Sequence, residues 1–250
     1  MPNHNLIPRL RASPVGVSYL VRRSPWIPVW WSVILPGFGH IYLSQNLKGL
    51  MLMSWEILVN NQSHLNLGIY YTVLGDIDKA AAVVDYRWLI LYPLFYIFAM
   101  VDSYRVGVEY NQMASLERMQ KQRRFDRVSI SPLGIQAADL RNPALGAFWS
   151  AVMPGLGHMY SNRMIKSFVL TGWYLAVVLK SGLTLAAFHT LLGHFELAKT
   201  FIDYQWLLFW PSIYIFGIVD AYSDVCEQNL LCAMAFKYRL RKYLRNEGVH

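Results

Sequence analysis

Trp31-Ser32-Val33-Ile34-Leu35-Pro36-Gly37-Phe38-Gly39-His40-Ile41-Tyr42 returns at an offset of 118 (Pro36 to Pro154) as Trp149-Ser150-Ala151-Val152-Met153-Pro154-Gly155-Leu156-Gly157-His158-Met159-Tyr160. A Pro-Gly pair inside an apolar run breaks a helix, because proline removes a backbone donor and glycine supplies dihedrals closed to other residues. The same offset holds on both sides of the motif. Ser13-Pro14-x-Gly16 recurs as Ser131-Pro132-x-Gly134, Lys48 and Trp55 recur as Lys166 and Trp173, and the set from Asp85-Tyr86-x-Trp88-Leu89 through Pro93, Tyr96-Ile97-Phe98 and Val101-Asp102-x-Tyr104 recurs from Asp203 to Tyr222. Residues 13–111 and 131–229 thus align without a gap, with about a third of positions identical, the signature of an internal repeat. A residue kept in both copies serves a shared architecture, and a residue kept in one does not.

Composition defines the solvent. With 55% hydrophobic, 15% aromatic and 15% charged residues, the chain has too little polar surface for a soluble domain of its length, and it reads as an all-α membrane protein. Tyr86–Tyr104 and Tyr204–Tyr222 are the firmest spans: about 19 residues suit a hydrocarbon core about 30 Å thick, and their ends carry the Tyr and Trp rings that settle among headgroups. Helices opening at Lys48 and Lys166 are expected to run to Gly75 and Gly193, apolar enough for lipid over their first two-thirds and interfacial beyond. Residues 1–26 hold no continuous apolar core of the kind a signal peptide needs.

Basic residues cluster at Arg9, Arg11, Arg22 and Arg23, at Arg118, Lys121, Arg123, Arg124 and Arg127, and at Lys237, Arg239, Arg241, Lys242 and Arg245. The positive-inside rule puts all three clusters in the cytoplasm, with Asp76–Asp85 and His194–Asp203 on the far side. Each copy then crosses an even number of times. This predicts two spanning helices per copy, with Trp30–Tyr42 and Phe148–Tyr160 as re-entrant or half-membrane segments entering from the cytoplasm, a break tolerable only where protein covers it. The copies share one orientation, as in parallel-repeat transporters. The expected organisation is a basic cytoplasmic segment over 1–26 (first repeat opening at 13), membrane repeats over 27–111 and 145–229, a basic cytoplasmic linker over 112–144 (second repeat opening at 131) and a basic amphipathic tail over 230–250. Within these, Glu117–Arg127 and Phe236–Leu244 read as cytoplasmic and interfacial helices.

A Pro-Gly-x-Gly-x-x-Tyr core (Pro36, Gly37, Gly39, Tyr42; Pro154, Gly155, Gly157, Tyr160), followed by a lysine-led helix and a Trp-rich helix closing on aspartate, resembles the TM2-domain type of small membrane module and the bacterial proteins built on that core. The resemblance covers about 75 residues of each copy. It implies a fold and no common activity. Ser44 and Asn162 stand where the pattern places a further glycine.

His40 and His158 are the histidines kept in both copies, as are Asp102 and Asp220. A buried histidine and carboxylate can relay a proton or bind a cation. The alternative is structural: a histidine N–H satisfies a carbonyl freed by the break, and the aspartate orients the ring or caps the turn. Glu56 is the opposite case, since Tyr174 is its counterpart and no shared need explains it. Either it faces an aqueous cavity, or it bonds a tyrosine or histidine across the bundle. Lys180 and Gln62 also differ between copies, but both can snorkel to the surface.

His189 and His194, five apart, lie about 140° apart around a helix and suggest no metal site. Cys226 and Cys232 fall on the cytoplasmic side, where thiols stay reduced. No Walker loop, His-Glu-x-x-His or Gly-x-Ser-x-Gly elbow is present, so neither a catalytic set nor a cofactor is expected. The net charge of +8 falls beside spans, where it serves orientation and anionic headgroups rather than nucleic acid. Three readings stand: a non-enzymatic membrane module that self-associates or joins another membrane complex; a small transporter or transport accessory using Glu56 and the broken helices; and a membrane-embedded enzyme acting on lipid through His40 or His158.

Overall fold

The computed structural model describes residues 12–13, 16–17, 22–119, 128–131, 134–137 and 140–246. The first half comprises a short antiparallel ribbon, β1 (Ala12–Ser13) with β2 (Gly16–Val17), then α1 (Trp26–Ile34), α2 (Phe38–Tyr42), α3 (Asn46–Ser63), α4 (Leu65–Val73), α5 (Ile77–Val83), α6 (Tyr86–Leu89) and α7 (Tyr92–Met119). The second half follows the same order: β3 (Val128–Ser131) with β4 (Gly134–Ala137), then α8 (Pro143–Val152), α9 (Leu156–Tyr160), α10 (Met164–Lys180), α11 (Leu183–Leu191), α12 (Phe195–Thr200), α13 (Tyr204–Leu207) and α14 (Phe209–Asn246). The architecture is all-helical apart from the two ribbons. Residues 120–127 of the expected cytoplasmic helix lie outside the described residues.

The Pro-Gly break forms in both halves. Gly37 and Gly155 adopt φ of 103° and 104°, turning the chain from α1 into α2 and from α8 into α9. Two residues on, each half makes a close approach that excludes a side chain: a Cβ on Gly39 would lie 2.1 Å from the Pro28 carbonyl oxygen, and one on Gly157 would lie 2.1 Å from that of Gly146. Ser44 and Asn162 take the left-handed conformation themselves, at φ 62° and 58°. The turn is therefore made without the expected glycine, asparagine tolerating that region better than most residues.

The lysine-led helices do not run unbroken to Gly75 and Gly193. Each breaks about two-thirds of the way, at His64 (φ 53°) and Gly182 (φ 69°), and α10 meets α11 at 61°. The carbonyls freed by these elbows are not orphaned. Asp85 N–H donates to Ser63 O and Asp203 N–H to Ser181 O, both at 3.0 Å, while the Asp85 and Asp203 side chains cap α6 and α13. One aspartate thus ties each elbow to the start of the following helix, which accounts for its presence in both copies.

Among the described residues one helical stretch, Tyr86–Ser115, is long and apolar enough to cross a membrane, and α10 with α11 qualifies as a bent pair. The counterpart over α13 and α14 is less apolar, with Ser212 and Gly217 where α7 has Leu94 and Ala99. Phe236–Leu244 is not a separate interfacial element: it belongs to α14, which is 38 residues long.

α1 packs along α7 and α8 along α14, while α3 meets α10 and α4 meets α13. The halves share one core. Phe38 stacks on Phe216 with ring centroids 4.2 Å apart, Trp31 meets Phe216 edge-on at 4.9 Å, and Met53, Ile57, Leu170, Val177 and Ile213 close around them. Outside this core the polarity is reversed. Trp30, Leu94, Val101, Phe148, Phe168 and Leu179 are exposed, whereas His40, Asp102, His158, Lys166, Asp220 and Asp224 are buried.

Candidate functional site: a buried ionic core

The Pro-Gly turns bring each histidine onto the helix that carries its aspartate. His40 Nε2 lies 2.8 Å from Asp102 Oδ2, and His158 Nε2 lies 3.0 Å from Asp220 Oδ2. An ionised carboxylate only accepts, so each ring holds its proton on Nε2. Nδ1 of both rings is buried without a partner. The histidines therefore do not satisfy the carbonyls freed by the break. That role falls to Tyr96, whose hydroxyl donates to Val33 O at 3.1 Å, and to its counterpart Tyr214, which donates to Ala151 O. In the second half Ser167 and Thr171 add bonds to Gly155 O (2.8 Å) and Pro154 O (3.1 Å). The aspartate fixes the orientation of the ring.

A third member completes each pair. Lys48 Nζ bonds Asp102 Oδ2, and Lys166 Nζ lies 2.8 Å from Asp220 Oδ2. Both lysines stand at matched positions, each in the first turn of its helix, a place that gives no sign of the contact. The sets differ in what surrounds them. Lys166, 2% exposed, also reaches Asp224 at 3.0 Å. Lys48, 36% exposed, shares Asp102 with Arg105, whose Nη2 lies 2.7 Å from the other carboxylate oxygen. Val106 stands at the position of Asp224, and Ser223 at that of Arg105.

From Asp224 the charges continue across the halves. Arg163 lies 3.6 Å from Asp224 and 2.8 Å from Glu227, and its other terminal nitrogen donates to Ser44 Oγ of the first half at 3.0 Å. Glu227 also receives Arg23 at 2.6 Å and the Tyr110 hydroxyl at 3.2 Å, both from the first half. Buried charges survive only when paired and hydrogen-bonded, and here Arg23, Arg163 and Lys166 balance Asp220, Asp224 and Glu227. The spacing of 220, 224 and 227, i, i+4 and i+7 on one helix face, was the available signal. Beside this network a backbone clasp repeats in both halves: Asn111 exchanges two bonds with the Arg23 main chain, and Asn229 does the same with Arg141.

His158, Asp220 and Asp224 each offer one ligand-type atom, all within 4.8 Å of one another. The residue types suit a divalent ion, but the Lys166 ammonium bonds two of the three groups and already neutralises them. Elsewhere His189 stacks on Phe201 at 5.0 Å, with the His194 ring 6.1 Å away. Cys226 and Cys232 are not bridged.

Glu56 lies in a second polar seam, farther along α3. Its Oε1 accepts from the Tyr92 hydroxyl at 2.5 Å and from Asn60 Nδ2 at 3.2 Å. Asn60 bonds Asn66 at 3.1 Å, and Asn66 donates to Gln205 O at 2.9 Å. Gln205 returns bonds to the Asn60 carbonyl and side chain at 3.0 and 2.9 Å, and accepts from Leu67 N–H at 2.8 Å. Glu56 thus bonds a tyrosine, and the seam ties α3 and α4 to α13. Beyond the elbows charge is exposed and local. Lys79 holds the Asp76 carboxyl below the usual range through a side-chain hydrogen bond, and Glu196 raises the Lys199 ammonium in the same way.

Compared with family models, with curated proteins and with solved structures, the chain matches none.

Proposed function

We propose that this chain is a multi-pass integral membrane protein of the cell membrane, with both termini cytoplasmic and two like-oriented copies of one TM2-like module. It acts as a non-enzymatic unit that self-associates or joins another membrane complex. The observation that carries this reading is the reversed polarity: Asp220 and Lys166, 0% and 2% exposed, lie inside, while Phe168, 82% exposed, faces out. In water that arrangement would expose large apolar area; in lipid the apolar surface meets hydrocarbon, and the charged groups pair with one another inside the bundle. The ionic core makes one body of the two modules, which suits a scaffold. Anionic headgroups are its expected surroundings, and nucleic acid is not an expected partner.

The test is topology. Single cysteines replace Asp78, Glu196 and Gln112, in a Cys226→Ser, Cys232→Ser background, and intact cells meet a membrane-impermeant thiol reagent. Labelling at 78 and 196 alone supports four crossings with Pro-Gly segments entering from the cytoplasm. Labelling at 112 overturns that topology and moves transport to first place.

Transport is the second reading, favoured by Glu56, a buried carboxylate whose hydrogen-bond partners, Tyr92 and Asn60, are neutral. Glu56→Gln that abolishes a measured flux without loss of folded protein supports it. A lipid-acting enzyme ranks below both, because His40 and His158 are 0% exposed and spend Nε2 on aspartate.

A further inference from the structure

The two halves control for each other, and one difference between them points outward. In the second half the lysine of the His-Asp-Lys set is enclosed: Lys166 spends its ammonium on Asp220 and Asp224. In the first half a single carboxylate, Asp102, serves His40, Lys48 and Arg105 together. Lys48 binds one oxygen and Arg105 the other, so the carboxylate holds the two cations at its opposite edges. Their side chains are 36% and 63% exposed. An ammonium has three donors and a guanidinium five, and Asp102 accepts few of them. Glu109 stands 3.9 Å from Arg105 Nε, itself 51% exposed, and offsets part of the charge at longer range.

The neighbours of this cationic pair are apolar. Leu47 and Met51 flank Lys48 on α3, Val101 and Tyr104 flank Arg105 on α7, and all four are exposed. A pair of cations with spare donors, fixed beside an exposed apolar flank, matches a ligand with an anionic head and a hydrocarbon tail. We infer that Lys48 and Arg105 bind the phosphate of an anionic phospholipid at the cytoplasmic edge of the first half. Arginine contributes a planar fork and lysine a point charge, the combination suited to phosphate oxygens. The second half has no such site, since its lysine is buried and serine replaces the arginine. The inference rests on the membrane reading above, and it adds a defined headgroup site to that general surface.

The full-length protein is reconstituted into nanodiscs of phosphatidylcholine carrying a small fraction of phosphatidylglycerol, and lipid retained by the protein is read by native mass spectrometry. The wild type is expected to retain phosphatidylglycerol selectively, and Lys48→Gln, Arg105→Gln to lose that preference by roughly thirtyfold, as removal of two surface cations requires. Lys48→Arg keeps the charge and is expected to keep the preference, which separates lost charge from lost fold. Arg87→Gln removes an exposed cation elsewhere and is expected to change nothing. Equal retention of both lipids by the wild type, or an equal loss on Arg87→Gln, overturns the site. Displacement of the lipid by millimolar inorganic phosphate overturns the lipid assignment in favour of a free anion. A chain that does not enter nanodiscs overturns the membrane reading and this inference with it.

Discussion

Arg23 and Glu227, 204 positions apart in sequence, meet at 2.6 Å in the interior. The contact gives the first half's N-terminal segment a fixed place on the last helix of the second. Glu227 simultaneously holds Arg163 and the Tyr110 hydroxyl, so it is the point where three segments are pinned.

Glu227→Gln leaves two buried guanidiniums short of a counter-charge, and breaking a buried pair in this way costs about 3–5 kcal/mol. Glu109→Gln, at the matched position but exposed, is expected to stay within about 0.5 kcal/mol of the wild type. Thermal unfolding of the purified protein in detergent compares them; equal effects would show that the network contributes no stability.

Gly39→Ala and Gly157→Ala each drive a Cβ to 2.1 Å from a carbonyl oxygen of the preceding helix. The backbones must separate, and folded yield is expected to collapse for both. Gly172→Ala meets nothing within 4 Å and is expected to be neutral or slightly stabilising, since alanine favours helix by about 1 kcal/mol over glycine. Size-exclusion profiles of the three variants decide the point.

Tyr96→Phe and Tyr214→Phe remove the hydroxyls that satisfy Val33 O and Ala151 O beside the two breaks. Under the membrane reading no water replaces the lost hydroxyl at these lipid-side carbonyls, and leaving each unpaired costs about 1–3 kcal/mol. Similar losses from both variants are expected in the same unfolding assay, because the geometry is duplicated.

Gln205→Ala severs the bonds that join α13 to Asn60 and Leu67. A loss of about 2 kcal/mol is expected from the unpaired groups left behind. Arg87→Ala, the matched position, is exposed and expected to be silent. Limited proteolysis of the α3–α4 elbow offers an independent reading, with cleavage accelerated only in the first variant.

The parts of this fold that could be read in advance are those present twice. The Pro-Gly break and the histidine and aspartate that meet across it stand at matched positions in both halves, so each residue is supported by its counterpart. The elbow at 64 was missed because His64 carries no sign of a left-handed backbone, although Gly182 at the matched position does. Asp224 and Arg163 face Val106 and Gln45 at the matched positions, and although Glu227 faces Glu109, the charge balance of the three depends on helix packing that no local pattern encodes. Asn60, Asn66 and Gln205 have Val178, Thr184 and Arg87 at the matched positions, and polar groups that satisfy one another in a dry seam have the same composition as polar groups facing water.

The length of α14 has a mechanical side. From Asp220, locked to Lys166 and His158, the helix continues without interruption to Asn246, about 39 Å at 1.5 Å per residue. A continuous helix of that length behaves as a lever, and its fulcrum is the charged cluster. A tilt of about 10° there sweeps the far end through about 7 Å, so a small change in how the halves fit is delivered, enlarged, at the end of the rod.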